Sequence, residues 1–379
     1  MRWLIVGHYG GENTGDEAML AGLLLSALRR QPQEFAVITK NNRLPPCLAG
    51  RAEVRAFRMG LRNTLRWLAW AQGVILGGGT HFHDDYRGGR YWQHVRYMAR
   101  ISGLSLLARL LGRRVLWLGV GFGPYYRPLT KFLAWLGEQA CEWVAARDRA
   151  SLELAGRWVD GRKIGLAFDL AVLLRGQESS LESGAPSAGR LMLGVSVTSV
   201  EDTLTGGPET DLLFWDRFIQ ALKTVYQSRE DLHVRVFVFR GGQREDDNAL
   251  SARVAGELAA CDPQRVALEA YDPDPLSTLA SVQRCQKFIA TRFHAVVLAY
   301  SAGCELLALG YHQKIHDLAV EIQLPSRACL PINRSVEVEE IQARLTELLD
   351  TPNFRPQLPL DEAQRRASIN LEVLLAQGR

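Results

Sequence analysis

Short apolar runs alternate with longer amphipathic stretches from the first residues of the chain. Five apolar runs have the length and continuity of buried strands: residues 2–6, 35–39, 73–76, 115–119 and 143–146. Between several of them, apolar side chains recur at helical spacing, in residues 17–30, 61–70, 93–111 and 129–141. Short strands separated by helices predict a parallel sheet that is covered on both faces.

The same alternation restarts after a polar segment. Residues 175–189 read RGQESSLESGAPSAG, and this Ser-, Gly- and Glu-rich composition predicts a surface linker. Beyond the linker, strands are predicted at residues 191–197, 234–239, 265–269, 288–290 and 305–309. Helices are predicted at residues 212–227, 295–302 and 360–375.

A chain of 379 residues is too long for one compact core. We therefore expect an α/β protein of two Rossmann-like, doubly wound domains that face each other across a cleft. The expected division is 1–174 for the first domain, 175–190 for the linker, 191–358 for the second domain and 359–379 for a helix that crosses back to the first. Ligands of doubly wound sheets bind at the carboxyl ends of the strands, so polar residues directly after strands are the candidates.

Charge and cysteine usage narrow the class of protein. The net charge is +4, and no dense basic footprint with a nucleic-acid motif accompanies it, so nucleic acid is not an expected partner. The six cysteines are scattered without metal or redox spacing, as is typical of free thiols in a reducing compartment. Neither a signal peptide nor an uncharged apolar stretch of about 18 residues is found. We expect a cytoplasmic protein.

The first candidate site follows the first predicted strand. Residues 7–17 read GHYGGENTGDE and run into a predicted helix. Glycines let the backbone approach a ligand closely, and the N–H groups of a helix start favour an anion. The dinucleotide-binding spacing G-x-G-x-x-G is absent. Asp16 suits a helix N-cap as well as ligand binding or proton transfer, Glu17 suits a first-turn acid, and Asn13 suits a left-handed turn.

The second candidate is the segment GGGTHFHDD at residues 77–85. Three glycines directly after a strand indicate a loop that something approaches closely. His81, His83, Asp84 and Asp85 are metal-ligand types, but they lack a recognisable metal-binding framework, so we expect no metal here. The acids are equally suited to capping the following segment.

Three further candidates also follow predicted strands. The glycines of GVGFGP at residues 119–124 suit either a ligand wall or tight backbone packing. Arg147-Asp148 suits an anion clamp, and a surface ion pair is the more common alternative. The sequence Thr291-Arg-Phe-His294 opens a predicted helix, where an Arg and a His two residues apart can hold an anion and supply a proton.

Taken together and in this order, these segments resemble the polysaccharide pyruvyl transferase family. The matching motifs are the G-x-x-N-x-G-D-E helix start at residues 10–17, the triple-Gly strand end with its downstream Asp at 77–85, and the G-x-G-x-G-P loop at 119–124. Arg147-Asp148 follows, and then an R-x-H-A helix start at 292–295 with Y-x-x-K at 311–314. The resemblance covers roughly residues 1 to 325.

The resemblance implies a GT-B-like fold and an enzyme that uses phosphoenolpyruvate as its donor substrate, with no cofactor. The pyruvyl group would pass to a sugar diol of a cell-surface glycan or of its polyprenyl-linked precursor, giving a pyruvate ketal and phosphate. Arginines suit the donor because their planar fork matches carboxylate and phosphate oxygens. Ketal formation also needs a general acid that titrates near neutrality.

We accordingly expect His294 as the general acid and Asp16 as the base for the sugar hydroxyl. Substrate contacts are expected from ten further residues: Arg147, Arg292, Asn13, Gly15, Glu17, Gly78, Gly79, Asp84, Gly121 and Lys314. The sequence departs from the family's pattern at residues 80–83, Thr-His-Phe-His, where small or apolar residues are usual. It departs again at His312 and Gln313, where Asp and Pro are common. Both departures bear on the identity of the acceptor.

Basic and aromatic residues cluster in two places, at Arg51–Trp70 and from Arg87 to Arg114. Such clusters suit peripheral contact with the inner, anionic surface of a membrane, although a solvated helix face with buried aromatics is slightly favoured. Two other functions stay open. One is a nucleotide-sugar glycosyltransferase on the same fold, and the other is a non-catalytic relative in a glycan-assembly complex.

Overall fold

The chain forms two compact units in a computed structural model that describes residues 1–86, 88–157, 160–177, 189–201, 207–242 and 247–376. The first unit comprises residues 1–177, 273–275 and 361–379, and the second comprises 178–272 and 276–360. Most of the predicted linker, from residue 178 to 188, lies outside the described residues.

The first unit is built on a parallel sheet of eight strands. They are β1 (Arg2–Val6), β2 (Glu34–Thr39), β3 (Val54–Arg58), β4 (Gly73–Leu76), β5 (Gly79–Phe82), β6 (Arg114–Phe122), β7 (Trp143–Ala146) and β8 (Ile164–Leu166). Their order is β3-β2-β1-β4-β6-β7-β8, with β5 paired to β6. The chain leaves β1 towards one edge and β4 towards the other, so the topological switch point lies between these two strands.

Helices cover this sheet on both faces. They are α1 (Thr14–Arg30), α2 (Leu61–Trp70), α3 (Gly88–Leu110), α4 (Pro128–Ala140), α5 (Arg149–Ala155) and the C-terminal α12 (Leu360–Leu375). Right-handed crossovers place α2 to α5 on one face and α1 on the other. On the first face Leu68, Met98, Leu133 and Ala155, one from each of these helices, share an apolar cluster with Trp117. On the α1 side, Gln364 of α12 donates to the carbonyl of Val172.

The second unit repeats the plan with six parallel strands. They are β9 (Leu191–Ser196), β10 (Leu232–Phe237), β11 (Val266–Glu269), β12 (Lys287–Ala290), β13 (Glu305–Gly310) and β14 (Cys329–Pro331), in the order β11-β10-β9-β12-β13-β14. Its helices are α6 (Pro208–Ser228), α7 (Asn248–Ala259), α8 (Pro275–Val282), α9 (Phe293–Ala302), α10 (Gln313–Glu321) and α11 (Val338–Asp350). Here the switch point lies between β9 and β12.

The predicted α/β class with parallel sheets is confirmed, and several element boundaries are corrected. Helix α1 begins at Thr14 rather than at residue 17, because Asn13 and not Asp16 caps it. Strand β3 was not predicted, since its sequence VRAFR alternates arginines with apolar residues at the sheet edge. Residues 79–82, expected to form a loop, form the short strand β5.

Leu170 holds α1 against the sheet through three glycines. It begins the buried 3₁₀ helix Leu170–Leu174. A Cβ atom at Gly22 of α1 would lie 2.3 Å from the Leu170 carbonyl oxygen, and one at Gly119 would lie 2.8 Å from its side chain. At Gly78 the same side chain would be 3.3 Å away. These glycines are therefore required by packing inside the unit.

Glu138 of α4 is a buried acid, and no described residue forms an ion pair with it. It is 2% exposed, and neither carboxyl oxygen has a hydrogen-bond partner among the described residues. Desolvation raises the pKa of Glu138 from 4.5 to about 8. At neutral pH the carboxyl group is therefore mostly protonated.

We predict opposite effects for alanine at two helical glycines. Gly22→Ala should destabilise the protein by about 2–3 kcal/mol, because the methyl group overlaps the backbone of Leu170. Gly103→Ala in α3 should stabilise it by about 0.5–1 kcal/mol, because nothing lies within 4 Å of the added Cβ and alanine favours the helix. Urea unfolding of both variants measures the two effects, and a stabilised Gly22→Ala protein would contradict the packing described here.

We also predict that Glu138 makes stability depend on pH. The pKa of Glu138 is raised in the folded state. Its contribution to the free energy of unfolding is therefore complete below about pH 4.5 and is lost as pH rises through about 8. Between these two limits the free energy of unfolding falls by about 5 kcal/mol on account of Glu138. Glu138→Gln should flatten the decline in unfolding free energy between pH 5 and pH 9 when both proteins are titrated with urea. The exposed Glu153→Gln variant is the control and should keep the wild-type slope.

Candidate functional site

The loop after β1 is held in place by an acid of the helix that follows it. Gly10 (φ 71°) and Glu12 (φ 54°) adopt left-handed backbone conformations there. Glu17 Oε1 accepts a 2.6 Å hydrogen bond from the Gly10 backbone N–H. The loop therefore folds back over the start of α1, at the switch point of the first sheet.

Asn13, not Asp16, is the N-cap of α1. Its backbone is extended, with φ −124° and ψ 107°, so the left-handed turn expected at this residue is wrong. Asn13 Oδ1 accepts from the Gly15 N–H at 3.1 Å, and Asn13 Nδ2 donates to Asp16 Oδ2 at 2.8 Å. Because capping is done by Asn13, Asp16 is a first-turn carboxylate whose orientation Asn13 fixes.

Glu17 is the acid of this loop that titrates near neutrality. Desolvation raises its pKa from 4.5 to about 7, the Gly10 hydrogen bond lowers it, and Asp16 raises it further. Its second oxygen, Oε2, is buried without a partner among the described residues. A carboxyl group in this state can exchange a proton at physiological pH. The sequence analysis assigned proton transfer to Asp16. Glu17 is distinguished from Asp16 by its burial, which the spacing of residues in the sequence does not reveal.

The triple glycine 77–79 is approached by the protein's own side chains. A Cβ at Gly77 would lie 1.8 Å from the Tyr9 hydroxyl oxygen, and one at Gly78 would lie 2.5 Å from Met19 Sδ. Gly79 has φ 125°, which favours glycine. The expected close approach to these glycines is present, and the approaching groups are the side chains of Tyr9 and Met19. Ligand binding by Gly78 and Gly79 stays a prediction.

His81 is a structural histidine. It is fully buried, its Nε2 lies 2.8 Å from the Gly77 carbonyl oxygen and its Nδ1 lies 2.8 Å from the Tyr97 hydroxyl. Nε2–H therefore donates to the carbonyl and Nδ1 accepts from the tyrosine, which uses both nitrogens. Within the described ranges, no group of three or more His, Cys, Asp or Glu side chains is arranged to hold a metal ion.

Around His81 lies a cluster of polar aromatic rings, defined as His8, His83, His94, Tyr86 and Tyr97. His8 stacks on Tyr97 with ring centroids 4.4 Å apart, and His83 lies 4.3 Å from His94. Desolvation lowers the pKa of His8 well below 6.5 and the pKa of His94 to about 3. At neutral pH the imidazoles of His8 and His94 are therefore uncharged, and together with the phenols they suit neutral hydroxyl-bearing ligands. Only His83 was singled out individually from the sequence, because the others are distant from it in the chain or follow it: His8 lies after β1, Tyr86 just before α3, and His94 and Tyr97 on α3.

The Asp84 carboxylate accepts hydrogen bonds from backbone N–H groups of the segment that precedes α4. Its Oδ1 accepts from the Tyr126 N–H at 2.7 Å and its Oδ2 from the Arg127 N–H at 2.6 Å. The expectation that it caps the segment directly after it is therefore corrected, since the segment it holds lies more than forty residues downstream. A substrate contact by Asp84 stays a prediction.

Arg147 is buried rather than part of a surface pair. Its Nη2 donates to Thr80 Oγ1 at 2.9 Å and its Nε to Asp148 Oδ2 at 3.1 Å, while Nη1 lies 3.9 Å from Asp169 Oδ2. A Cβ at Gly121 would lie 2.7 Å from Arg147 Nε, so this glycine makes room for the guanidinium. Two carboxylates therefore fix Arg147 and offset its charge.

In the second unit, Arg292 occupies the N-cap position of α9, just after β12. Its Nε and Nη2 make a bidentate pair with Asp247, at distances of 2.6 to 2.9 Å. Asp247 is fully buried and also accepts from the Arg240 backbone N–H at 3.1 Å. The guanidinium is therefore held in one orientation at a helix N-terminus, the place in a fold where anions bind most readily.

Two hydroxyls that the sequence analysis missed lie at the same switch point. Ser196 ends β9 and Thr291 follows β12, and the Thr291 N–H donates to the Ser196 carbonyl at 3.0 Å. Both side chains are fully buried, and neither hydroxyl has a hydrogen-bond partner among the described residues. An unpaired buried hydroxyl costs free energy unless a ligand satisfies it. No motif marks a lone Ser and Thr that lie about a hundred residues apart.

His294 and Lys314 lie on the same edge of this sheet. His294 is in the first turn of α9, and its ring packs edge-on against Phe293 at 5.1 Å. Lys314 is in the first turn of α10, after the neighbouring strand β13. His312 caps that helix, because its Nδ1 accepts from the Lys314 N–H at 3.3 Å. His312 replaces the Asp that is common at this position, and it still supplies a side-chain acceptor that caps the helix.

Comparisons with known proteins agree with this architecture. The UDP-GlcNAc 2-epimerase from Methanocaldococcus jannaschii superposes with a TM-score of 0.63 at 10% identity, over 100% of both chains. Anabaena Alr3699/HepE in complex with UDP-glucose gives 0.53 at 13% identity, over 99% of this chain and 96% of that one. The glycosyltransferase WaaG, involved in lipopolysaccharide biosynthesis, gives 0.50 at 11% identity over 100% of both chains. These neighbours share the GT-B fold, so the predicted GT-B-like fold is confirmed.

Among curated proteins, none matches the chain. A family model described as polysaccharide pyruvyl transferase matches residues 13–313. That range includes the Asn13 cap, the triple glycine, Arg147 and the Arg292–His294 helix start. The chain therefore belongs to the polysaccharide pyruvyl transferase family.

Proposed function

We propose that the protein transfers the pyruvyl group of phosphoenolpyruvate to two hydroxyls of one sugar, forming a pyruvate ketal and releasing phosphate. The observation that carries the proposal is the carboxyl edge of the second sheet. There Arg292 is fixed by Asp247 at the start of α9, beside two buried hydroxyls for which the described part of the chain supplies no hydrogen-bond partner. Such a site suits a small, multiply charged anion.

Donor recognition is assigned to the second unit. Arg292 and Lys314 supply positive charge, and Ser196 and Thr291 supply hydrogen bonds that a phosphate or carboxylate can accept. Asp247 removes much of the entropy cost of ordering Arg292, because the side chain is already held before ligand binds. Arg147 of the first unit, also fixed by carboxylates, is proposed as a further contact to the donor.

The reaction needs one acid and one base. His294 donates a proton to C3 of the enol, and the first sugar hydroxyl bonds to C2 as Asp16 takes its proton. The bond from C2 to the phosphate oxygen then breaks, and the second hydroxyl bonds to C2. The proton of the second hydroxyl leaves with the phosphate, so atoms and charges balance. Asn13 orients Asp16 through its Nδ2, and its Oδ1 accepts from the Gly15 N–H.

The acceptor is proposed to be a cell-surface glycan or its polyprenyl-linked precursor, met in the cytoplasm. The cluster of His and Tyr rings around His81 suits sugar hydroxyls and the apolar faces of sugar rings. His83 of this cluster and the His81 that it surrounds both lie in the segment that departs from the family's usual composition. The departure therefore points to the acceptor rather than to the donor.

A second candidate is a nucleotide-sugar glycosyltransferase, since Alr3699/HepE, of the same fold, has been captured with UDP-glucose. The released product discriminates the two. Inorganic phosphate from phosphoenolpyruvate supports the pyruvyl transferase, and a nucleoside diphosphate supports the alternative. A non-catalytic relative would release neither.

We predict that His294→Gln lowers phosphate release from phosphoenolpyruvate by about a hundredfold or more, because the general acid is lost. Calorimetry should still detect phosphoenolpyruvate binding, since Arg292 and Lys314 remain. His316→Gln, on the exposed side of α10, is the matched control and should retain wild-type activity. Full phosphate release by His294→Gln would exclude the assigned acid.

We predict an ascending limb near pH 7 in the pH profile of kcat/KM for the acceptor. The raised pKa of Glu17, about 7, means that the carboxyl group loses its proton as pH rises through neutrality. The new negative charge strengthens Asp16 as a base. Glu17→Gln should abolish this ascending limb, whereas Asp16→Asn should lower activity at every pH. An unchanged limb in Glu17→Gln would show that another group controls it.

A further inference from the structure

One continuous part of the chain carries more positive charge than the whole chain has in excess. Residues 54–137 contain thirteen Arg and Lys residues and only two acids, Asp84 and Asp85. The rest of the chain has 32 basic and 39 acidic residues, so it is net negative. The small overall charge of +4 therefore hides a strongly basic segment.

This segment forms one face of the first unit. Helices α2, α3 and α4 all pack on the same side of the sheet, through Leu68, Met98 and Leu133. Their opposite surfaces, which we name the α2–α4 outer face, carry exposed arginines: Arg62, Arg66, Arg96, Arg100 and Arg109. Among the described residues, no carboxylate lies within ion-pair distance of these five. Surface arginines elsewhere, such as Arg229, Arg253 and Arg327, pair with acids.

Large apolar side chains are exposed on the same helices. Leu61 of α2 is 77% exposed, Trp92 and Leu110 of α3 are 60% and 83% exposed, and Phe132 of α4 is 52% exposed. On α4, Leu129, Phe132 and Trp135 recur every three residues and so line one side of the helix. Ten of the fifteen exposed large hydrophobic side chains in the described part of the chain belong to residues 54–137.

We propose that the α2–α4 outer face docks on an anionic lipid bilayer. Arginines without carboxylate partners are attracted to acidic headgroups, and exposed Trp, Phe and Leu side chains insert at the interface. A second copy of the chain is a poor occupant, since a symmetric contact would bring like charges together. Nucleic acid is poorer still, because exposed aliphatic residues such as Leu61 and Leu110 neither stack on bases nor contact phosphates.

The proposal deepens the proposed function, because a bilayer is where a polyprenyl-linked acceptor would be met. Its evidence is separate, since it rests on surface charge and exposure and not on any residue of the donor site. None of the described helices has the length and hydropathy to span a membrane. Docking at the surface is therefore the mode of contact that this face supports.

The test is co-sedimentation of the full-length protein with vesicles. Vesicles of equal parts phosphatidylglycerol and phosphatidylcholine should bind the wild type, and binding should fall steeply with added salt. Vesicles of phosphatidylcholine alone should bind it at least tenfold more weakly. Arg62→Glu/Arg66→Glu should lose at least tenfold of the binding to anionic vesicles, and Phe132→Ser should also weaken it.

Arg29→Glu/Arg30→Glu on α1 is the matched control. It changes the net charge of the same unit equally, but on the opposite face of the sheet. Equal losses in both double variants would overturn the proposal in favour of non-specific charge attraction. So would equal binding to neutral vesicles, or a concentration-dependent dimer that Phe132→Ser abolishes in the absence of lipid. Phosphate release with a water-soluble acceptor should be unchanged in Arg62→Glu/Arg66→Glu, so failed docking and failed catalysis are separable.

Discussion

The first unit depends on the close contact between Asp169-Leu170 and the three glycines that surround them. The backbone of Leu170 lies against Gly22 of α1, and its side chain lies against Gly119, within β6, and Gly78, between β4 and β5. Asp169, next in the chain, accepts from the Ala171 N–H and lies near Arg147. Interiors packed at this density do not admit an extra methyl group without displacement. One short segment therefore sets the distance of α1 from the sheet and the position of the buried arginine.

These contacts give the glycine-rich segments a structural role in packing. Glycine-rich segments after strands are usually taken as places where a ligand approaches the backbone. Here Tyr9 fills the space at Gly77, Leu170 that at Gly119 and the guanidinium of Arg147 that at Gly121. The glycines serve the site indirectly, because they let charged and aromatic side chains reach the carboxyl edge of the sheet. In this protein the glycine motif therefore reflects packing within the first unit.

Sequence patterns predicted the sheets well because buried parallel strands are continuous apolar runs, as in residues 2–6 and 73–76. They failed at β3, where arginines alternate with apolar residues at an edge, and at β5, where glycines hid a short strand. The candidate site was predicted wherever a motif is contiguous, as at Arg292–His294. It was missed where side chains meet through the fold: Ser196 with Thr291, and His8 with Tyr97. The spacing of Asp16 and Glu17 in the sequence did not show which of them titrates near neutrality. Burial does, because it raises the pKa of Glu17 to about 7.

Helix α3 links the polar aromatic cluster to the α2–α4 outer face. His94 and Tyr97 lie on its inner side, where they meet His83 and His8, while Trp92, Arg96 and Arg100 lie on its outer side. A rigid helix transmits a displacement of one side to the other, because its side chains share one backbone. Docking of the outer face would therefore fix the orientation of the rings proposed to receive the sugar. Conversely, an acceptor held in the bilayer would approach along the same helix, so its attachment to lipid and its recognition by the cluster would favour each other.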